Sequence, residues 1–260
     1  MSPPMQQPYD PGRIIVVLPT YNEAENLENI VKRLRAALPE ADVLIADDNS
    51  PDGTGEIADR LAQTDQQILV KHRPAKQGLG TAYRQEFLWA LEQGYDVLCE
   101  MDSDGSHQPE ALPTLLSALE NADLVIGSRW VLGGRVENWS RGRQLLSRAA
   151  NLYARVALGL PVRDATSGFR MFRRATLQGI DLAGVASQGY CFQIDLAWRA
   201  YRAGFRVTEV PIVFFEREHG TSKMDRDVVV ESFRMVTAWG IRHRLRQAGE
   251  LLTGKRKVDH

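Results

Sequence analysis

The sequence is short of cysteine. Cys99 and Cys191 are the only two among 260 residues. Cys99 falls in the apolar run that begins at Tyr95, where a buried strand is expected, and neither cysteine has a close partner in the sequence. That argues against a disulfide framework and for a reducing compartment. No apolar run approaches the roughly 20 residues a membrane span requires. The opening MSPPMQQPYDPG has no apolar core and does not read as a signal peptide. Also absent are a GxxxxGK[ST] loop, a GxGxxG after the first strand, HExxH, paired CxxC and GxSxG. Gly78-Leu79-Gly80 matches none of these. P-loop kinases, nicotinamide dehydrogenases, zinc proteases and serine hydrolases all lose support. Charge of one sign is missing too. Lys and Arg number 32 against 33 Asp and Glu, a net charge of −1, so nucleic acid is not an expected partner. The expectation is a cytoplasmic protein, or one held at a membrane by its surface or by a partner.

What is present fits one α/β domain with a substantial core: 43% of the residues are hydrophobic and 25% charged. Short apolar runs at Ile14–Leu18, Val43–Ala46, Ile68–Val70, Val97–Met101 and Leu124–Gly127 read as strands covered on both faces. Helical patterns lie between them near Glu25–Leu38, Gly55–Gln63, Thr81–Gln93 and Glu110–Leu119. This alternation predicts a mostly parallel, doubly wound sheet flanked by helices. After residue 130 the pattern changes. A Gly/Arg-rich loop is expected over 130–142 and a helix near Arg143–Leu158. Strands are expected at Phe169–Phe172 and Val207–Phe215, with a helix near Phe192–Ala203 between them. A polar, mobile segment should follow over Glu216–Arg226, then a last helix near Val228–Arg246 and a basic tail. The division read from this is a catalytic domain over 13–225 and a C-terminal amphipathic extension over 226–260.

In such sheets ligands bind at the carboxyl ends of the strands, and the chemically suggestive residues sit there. Pro19-Thr-Tyr-Asn-Glu23 follows strand one. Tyr21 can stack on a base and Glu23 can accept from a base or ribose; equally, Thr20 or Asn22 can start the next helix. Asp47-Asp48 follows strand two, where a carboxylate commonly takes ribose or base hydrogen bonds. The Asp52-Gly53 that follows is ordinary turn chemistry. Asp102 and Asp104 follow strand four. Two apart on extended backbone, they point to one side. Paired hard carboxylates suit Mg²⁺ or Mn²⁺ carrying a diphosphate, and Ser106 or His107 is a candidate to complete the shell. An Asp-rich helix-capping turn would look the same. Gly127-Ser-Arg129 follows strand five.

Ten arginines lie between Arg129 and Arg174, against only Glu137 and Asp164. That stretch suits an anion, or is a solvated face of scattered ion pairs. Arg217 and Lys223 flank a Gly-containing loop that can close over a diphosphate, or is a plain charged loop. In the last helix Val230, Phe233, Thr237 and Ile241 line one side, with Arg234, Arg242, Arg244 and Arg246 supplying charge. Such a helix suits an anionic lipid surface; packing on the sheet is the alternative.

Taken together, LPTYNEAENL (18–27), ADDNSPDGT (46–54), GLGTAY (78–83), MDSDGSHQPE (101–110), GSRW (127–130), WSRGRQLLSRAAN (139–151), DATSGFRMF (164–172) and REHGTSKM (217–224) resemble the inverting, GT-A-fold glycosyltransferases of family 2, and within them the polyprenyl-phosphate (dolichyl-phosphate-type) mannose synthases. The matching words span residue 13 to about 225. The resemblance implies a GT-A, Rossmann-like fold and transfer of mannose from GDP-mannose to a polyprenyl monophosphate, with inversion. It implies that Pro19, Tyr21, Glu23, Ala46 and Asp48 hold the nucleoside, with Ser103 near the donor. Asp102, Asp104 and Ser106 would hold Mg²⁺ or Mn²⁺. Arg129, Arg217 and Lys223 would grip donor phosphates or the reacting centre, with Asp104 also counted as catalytic. Arg143 and Ser147, together with Arg129, would receive the acceptor phosphate. Extra arginines in the WSRGR block leave Arg141 and Arg143 as rivals there; Arg143 is the choice. The implied partners are GDP-mannose, polyprenyl phosphate, the inner membrane face and a candidate membrane protein. The rival readings are a polyprenyl-phosphate glucosyltransferase using UDP-glucose and an inactive nucleotide-binding scaffold.

Overall fold

The Ile14–Leu18 run alternates between two cores. In the computed structural model, which describes residues 10–185, 190–216, 233–242 and 244–245, Ile14, Val16 and Leu18 face one side of the sheet, and Ile15 and Val17 the other. This is the two-residue period of a strand covered on both faces. The strands are β1 (Ile14–Thr20), β2 (Asp42–Asp47), β3 (Ile68–His72), β4 (Val97–Glu100), β5 (Leu124–Ser128), β6 (Arg135–Glu137), β7 (Arg170–Arg173), β8 (Val207–Pro211) and β9 (Val213–Phe215). The helices are α1 (Leu27–Ala37), α2 (Thr54–Thr64), α3 (Leu79–Glu92), α4 (Leu112–Ala118), α5 (Arg141–Leu158), α6 (Arg174–Gly179) and α7 (Tyr190–Arg202), with single 3₁₀ turns between some of them.

Seven strands form the main sheet in the order β3-β2-β1-β4-β7-β5-β8. All pairings are parallel except those of β7, which runs antiparallel to both β4 and β5. α1 presents Leu27, Ile30, Val31 and Leu34 to one face, a helical i, i+3, i+4, i+7 stripe. That core also takes Leu112 and Leu115 of α4, while Tyr83 and Phe87 of α3, Ala154 and Leu158 of α5, and Phe192 and Leu196 of α7 fill the other.

Three departures from the sequence reading matter for the site. The expected strand Val207–Phe215 breaks at Ile212. Its first half joins β5, and its second half pairs with β6 in a separate parallel ribbon. The break follows from anchoring, since the Ile212 amide donates to the Ser128 carbonyl while its own carbonyl accepts from Arg135. The loop expected over 130–142 contains that ribbon's β6. Because β7 is reversed, the residues before it, 164–169, arrive at the same rim as the ends of β4 and β5.

α5 is well delimited. The Ser140 side chain accepts from the Arg143 amide, and Gly159 closes the helix at φ 66°, the left-handed geometry that glycine supplies without a Cβ penalty. Residues 233–242 are helical and pack on α5 and α7, where a place on the sheet had been the expected alternative to lipid. Val236 is buried, the Trp239 ring stacks on Trp198 at 5.9 Å, and Thr237 shares a hydrogen bond with the Tyr153 hydroxyl. Phe233 and Ile241 are exposed; Val230 and Arg246 lie outside the described residues. No described helix is long and apolar enough to cross a membrane.

Candidate functional site

The nucleoside side of the rim is built from two interlocked loops. Asp47 ends β2 and accepts from Thr20 Oγ1 and from the Ser50 amide and hydroxyl. Ser50 Oγ accepts from the Asn22 amide, Thr54 Oγ1 from the Glu23 amide, and Asp52 from the Ala24 amide. Asn22 and Asn49 both take positive φ, 59° and 55°, which Asn tolerates in such turns. The DDNSPDGT word is thus a brace that fixes the Pro19–Glu23 segment. Pro19 and Ala46 are register neighbours on β1 and β2. Lys76 lies 3.8 Å from the Tyr21 ring centroid, over one face. Glu23 Oε2 accepts from Asn26.

Asp48 is buried and paired with Arg73, which also donates to Gln85. Burial raises the Asp48 carboxyl above its ordinary value, against the pull of Arg73 and Lys76. Arg73 was not singled out in the sequence, because nothing near it marks it; its partner is 25 residues away.

The acidic loop after β4 is held from three directions. Ser103 Oγ donates to the Pro19 carbonyl at 2.9 Å. The Ser106 amide and hydroxyl both donate to Asp104 Oδ1, at 3.0 and 2.5 Å. The Asp102 amide donates to His107 Nδ1 at 3.1 Å. This last contact corrects one expectation. His107 Nδ1 is engaged by backbone and the ring is buried, stacked on Phe169 at 5.0 Å and edge-on to Phe214 at 5.3 Å. His107 therefore shapes the loop, and its Nδ1 is not available as a metal ligand. Burial pushes its imidazole down to about 4, with Asp104 and Arg129 acting in opposite senses, so the ring is neutral near pH 7 with its proton on Nε2.

Among the described residues no three His, Cys, Asp or Glu side chains form a ligand set. What the loop offers is two hard carboxylates, Asp102 about a third exposed and Asp104 pinned by Ser106. That donor set fits a Mg²⁺- or Mn²⁺-type cation whose other ligands come from a substrate diphosphate.

Under the rim lies a buried pair. Glu100 faces Arg170 at 3.4 Å, both fully buried. Arg170 donates to the carbonyls of Ala165, Ser167 and Gln193 and so fastens the loop before β7. Burial pushes Glu100 up to about 7, with Arg170 and Gln193 opposing it.

The opposite side of the rim is basic and aromatic. Arg129, at the end of β5, grips Asp164 through its backbone amide, Nε and Nη2 at 2.6–2.9 Å. A bidentate fork of this kind is among the stronger charge-assisted contacts. Asp164 comes from the loop that the reversed β7 delivers, and sequence reasoning gave it no role. Arg143, Ser147 and Asn151 follow one another at four-residue spacing on α5, one face of a helix. Asn151 is tied to Asp164 and Thr166, which points that face at Arg129. Arg143 bonds Glu216 at 2.5 Å and lies 4.1 Å from the Trp139 centroid. Arg141 is exposed on another face. Phe214 links the two sides, touching His107 and lying 5.4 Å from the Arg129 guanidinium. Arg217 and Lys223 lie outside the described residues, in the stretch that follows Glu216; Glu216 itself lies beside Arg143.

The site can thus hold a nucleoside at the β1–β2 ends, a cation-bridged diphosphate at the Asp102/Asp104 loop, and a second anion near Arg129 and Arg143. Comparisons with known proteins agree. The family model for glycosyl transferase family 2 matches residues 15–180. The undecaprenyl-phosphate mannosyltransferase of Micrococcus luteus is 53% identical over 88% of this chain and 94% of its own length. The polyprenol monophosphomannose synthase of Mycolicibacterium smegmatis is 53% identical over 91% and 90%. Among solved structures, glucosyl-3-phosphoglycerate synthase from Mycobacterium tuberculosis, in complex with Mn²⁺ and UDP-glucose, superposes with a TM-score of 0.62 at 22% identity, over 88% of this chain and 77% of that one, which shows the shared GT-A-like fold. With a family model across most of its length and relatives of this identity, the chain is a glycosyltransferase and belongs to glycosyl transferase family 2.

Proposed function

We propose that this protein transfers mannose from GDP-mannose to a polyprenyl monophosphate, with inversion at the anomeric carbon. The observation that carries the reading is the convergence, on one rim, of the Asp102/Asp104 pair with the Arg129/Arg143 seat. The similarity to two polyprenyl-phosphate mannosyl-transferring enzymes supplies the sugar and the acceptor class.

The chemistry suits the inventory. A phosphate monoester is already largely dianionic near neutral pH, with a second pKa of about 6, so it attacks without a strong general base. Among the described residues of the acidic loop the histidine is His107, which is buried with its Nδ1 occupied. A phosphate oxygen forms the new bond to the anomeric carbon as the bond to the diphosphate breaks, and GDP leaves. Asp102 and Asp104 would hold a divalent cation, which when bound stabilises the departing diphosphate. Ser106 orients Asp104 for that role. Arg129 is set by Asp164 near the reacting centre, and Arg143 with Ser147 receives the acceptor phosphate. Pro19, Tyr21, Glu23, Ala46 and Asp48 border the nucleoside. Arg217 and Lys223, beyond Glu216, are assigned to the donor phosphates.

The acceptor's lipid places the protein at a membrane surface, on the cytoplasmic face. The outer side of α5 supports this. Leu145, Leu152 and Val156 are 71%, 60% and 62% exposed and share one helix face. No Asp or Glu occurs between Asn138 and Arg163, and Arg141, Arg148 and Arg155 are exposed nearby. Apolar residues flanked by arginines suit an anionic bilayer.

The test is a radiolabelled transfer assay with GDP-mannose, a polyprenyl phosphate and Mg²⁺ or Mn²⁺, scored by extraction into organic solvent. Label should enter the organic phase with the wild type, and Asp104→Ala should lower turnover at least a hundredfold. Turnover of UDP-glucose with none of GDP-mannose would end the mannose reading.

A further inference from the structure

Trp130 and Trp139 form an aromatic cluster that the reaction described above does not use. Their rings meet edge to face at 6.5 Å, and Trp139 meets Phe214 the same way at 5.4 Å. Three guanidinium groups lie against these rings. Arg143 is 4.1 Å from the Trp139 centroid, Arg148 is 4.7 Å from Trp130, and Arg129 is 5.8 and 5.5 Å from the two. A guanidinium resting on a ring face keeps its N–H edge for in-plane acceptors. The aromatic pair thus holds three guanidinium groups close together and oriented; with Asp164 on Arg129 and Glu216 on Arg143 the cluster still carries an excess positive charge, which favours an anion.

The indoles carry a second signal. Nε1 of Trp130 and Nε1 of Trp139 are both buried, and neither has a hydrogen-bond partner among the described residues. Buried donors in native proteins are nearly always paired, and each exception calls for a reason. Here two exceptions occur side by side within an arginine cluster. A phosphate, with several anionic oxygens, supplies the kind of acceptor these two donors lack.

We infer that Trp130 and Trp139 are acceptor-binding residues whose indole N–H groups donate to phosphate oxygens of the polyprenyl monophosphate while their ring faces position Arg143 and Arg148. This rests on the acceptor reading given above, and the experiment separates the two. The full chain is labelled with ¹⁵N-tryptophan, which gives indole signals from five tryptophans; Trp130→Phe and Trp139→Phe assign the two of interest. Farnesyl monophosphate is titrated in, with inorganic phosphate as a parallel arm. The Trp130 and Trp139 indole protons should move downfield and saturate with farnesyl monophosphate, while those of Trp89, Trp198 and Trp239 stay in place. Equal shifts with inorganic phosphate would still support the donors and show that the lipid adds nothing to their engagement.

Each Phe variant keeps a six-membered aromatic face for the neighbouring guanidinium and loses the N–H together with the pyrrole ring. Each should raise the acceptor KM about tenfold, with the GDP-mannose KM within twofold of wild type. Unmoved indole signals at farnesyl monophosphate concentrations that saturate turnover would overturn the inference. So would Phe variants with unchanged acceptor KM, or with donor and acceptor KM raised together, which would mark a purely structural role. If either variant fails to fold, the other's missing signal and the wild-type titration still decide. Indole shifts without mannosyl transfer would sink the functional reading and leave this one standing; transfer with unmoved indoles would do the reverse.

Discussion

His107 turns a local sequence into a shaped acidic loop. Its ring is clamped between Phe169 and Phe214, and its Nδ1 receives the Asp102 amide. The folded imidazole sits near 4 and the unfolded one near 6.5. The unfolded chain therefore binds a proton that the folded chain refuses between those values. The stability this group contributes is present above about pH 6.5 and is lost as pH falls toward 4. His107→Phe keeps a ring in the clamp and takes up no proton. Urea unfolding at pH 7 and pH 5 should show a pH-dependent loss smaller in the variant by on the order of 1–2 kcal/mol; equal losses would mean that the histidine titrates normally. The acidic pair itself was legible in the sequence, because carboxylates two apart at a strand end form a local pattern. Asp164 and Arg73 were not. Each acts through a charged partner 35 or 25 residues away, and a single sequence read along its length does not bring such residues together. His107 was read as a candidate ligand because the residue type suggests one; only the surrounding rings and the Asp102 amide reassign it.

Among the elements, the early strands and helices followed from apolar periodicity, since each strand covered on both faces is a near-continuous aliphatic run. The β6–β9 ribbon did not, because RVE and VFF are too short to carry a period. The direction of β7 also left no mark: RMFR pairs as well in either sense, and its orientation is set by where the chain on either side must go. The helix over 233–242 was legible as a helix, but its buried line was not. Val236, Trp239 and Gly240 face inward, and Phe233 and Ile241 are left outside. Gly240 explains why. A Cβ there would lie 2.6 Å from the Ala157 carbonyl oxygen, so only glycine permits so close an approach to α5. Gly240→Ala gains about 1 kcal/mol of helix propensity, but overpacking costs typically 1–3 kcal/mol. The net expectation is a loss of about 1 kcal/mol in urea unfolding, with altered tryptophan fluorescence as Trp239 shifts off Trp198. An unchanged midpoint and spectrum would show that the two helices are not locked together.

For the whole molecule, the site and the exposed apolar face of α5 lie on one helix, with Arg143 and Ser147 on its inner line and Leu145, Leu152 and Val156 outside. On the acceptor reading proposed above, the apolar outer face of α5 is the surface offered to the bilayer that carries the lipid. Replacing Leu145, Leu152 and Val156 together by Ser should abolish cosedimentation with vesicles containing anionic phospholipid, while turnover on short farnesyl monophosphate in solution stays within twofold. Retained vesicle binding would assign the lipid contact to another surface. Wild-type binding should weaken as salt rises, because part of it is screened charge.

The reversed strand at the middle of the sheet has a consequence for biogenesis. The β3-β2-β1-β4 and β5-β8 portions share no direct strand pairing, and β7, four residues long, is their only bridge within the main sheet among the described residues. A nascent chain still short of Arg170 carries β4 and β5 as two open edges. The ribosome must deliver Arg170–Arg173 before those edges can close, so a translational pause upstream of that point would leave a sticky half-sheet waiting for its keystone.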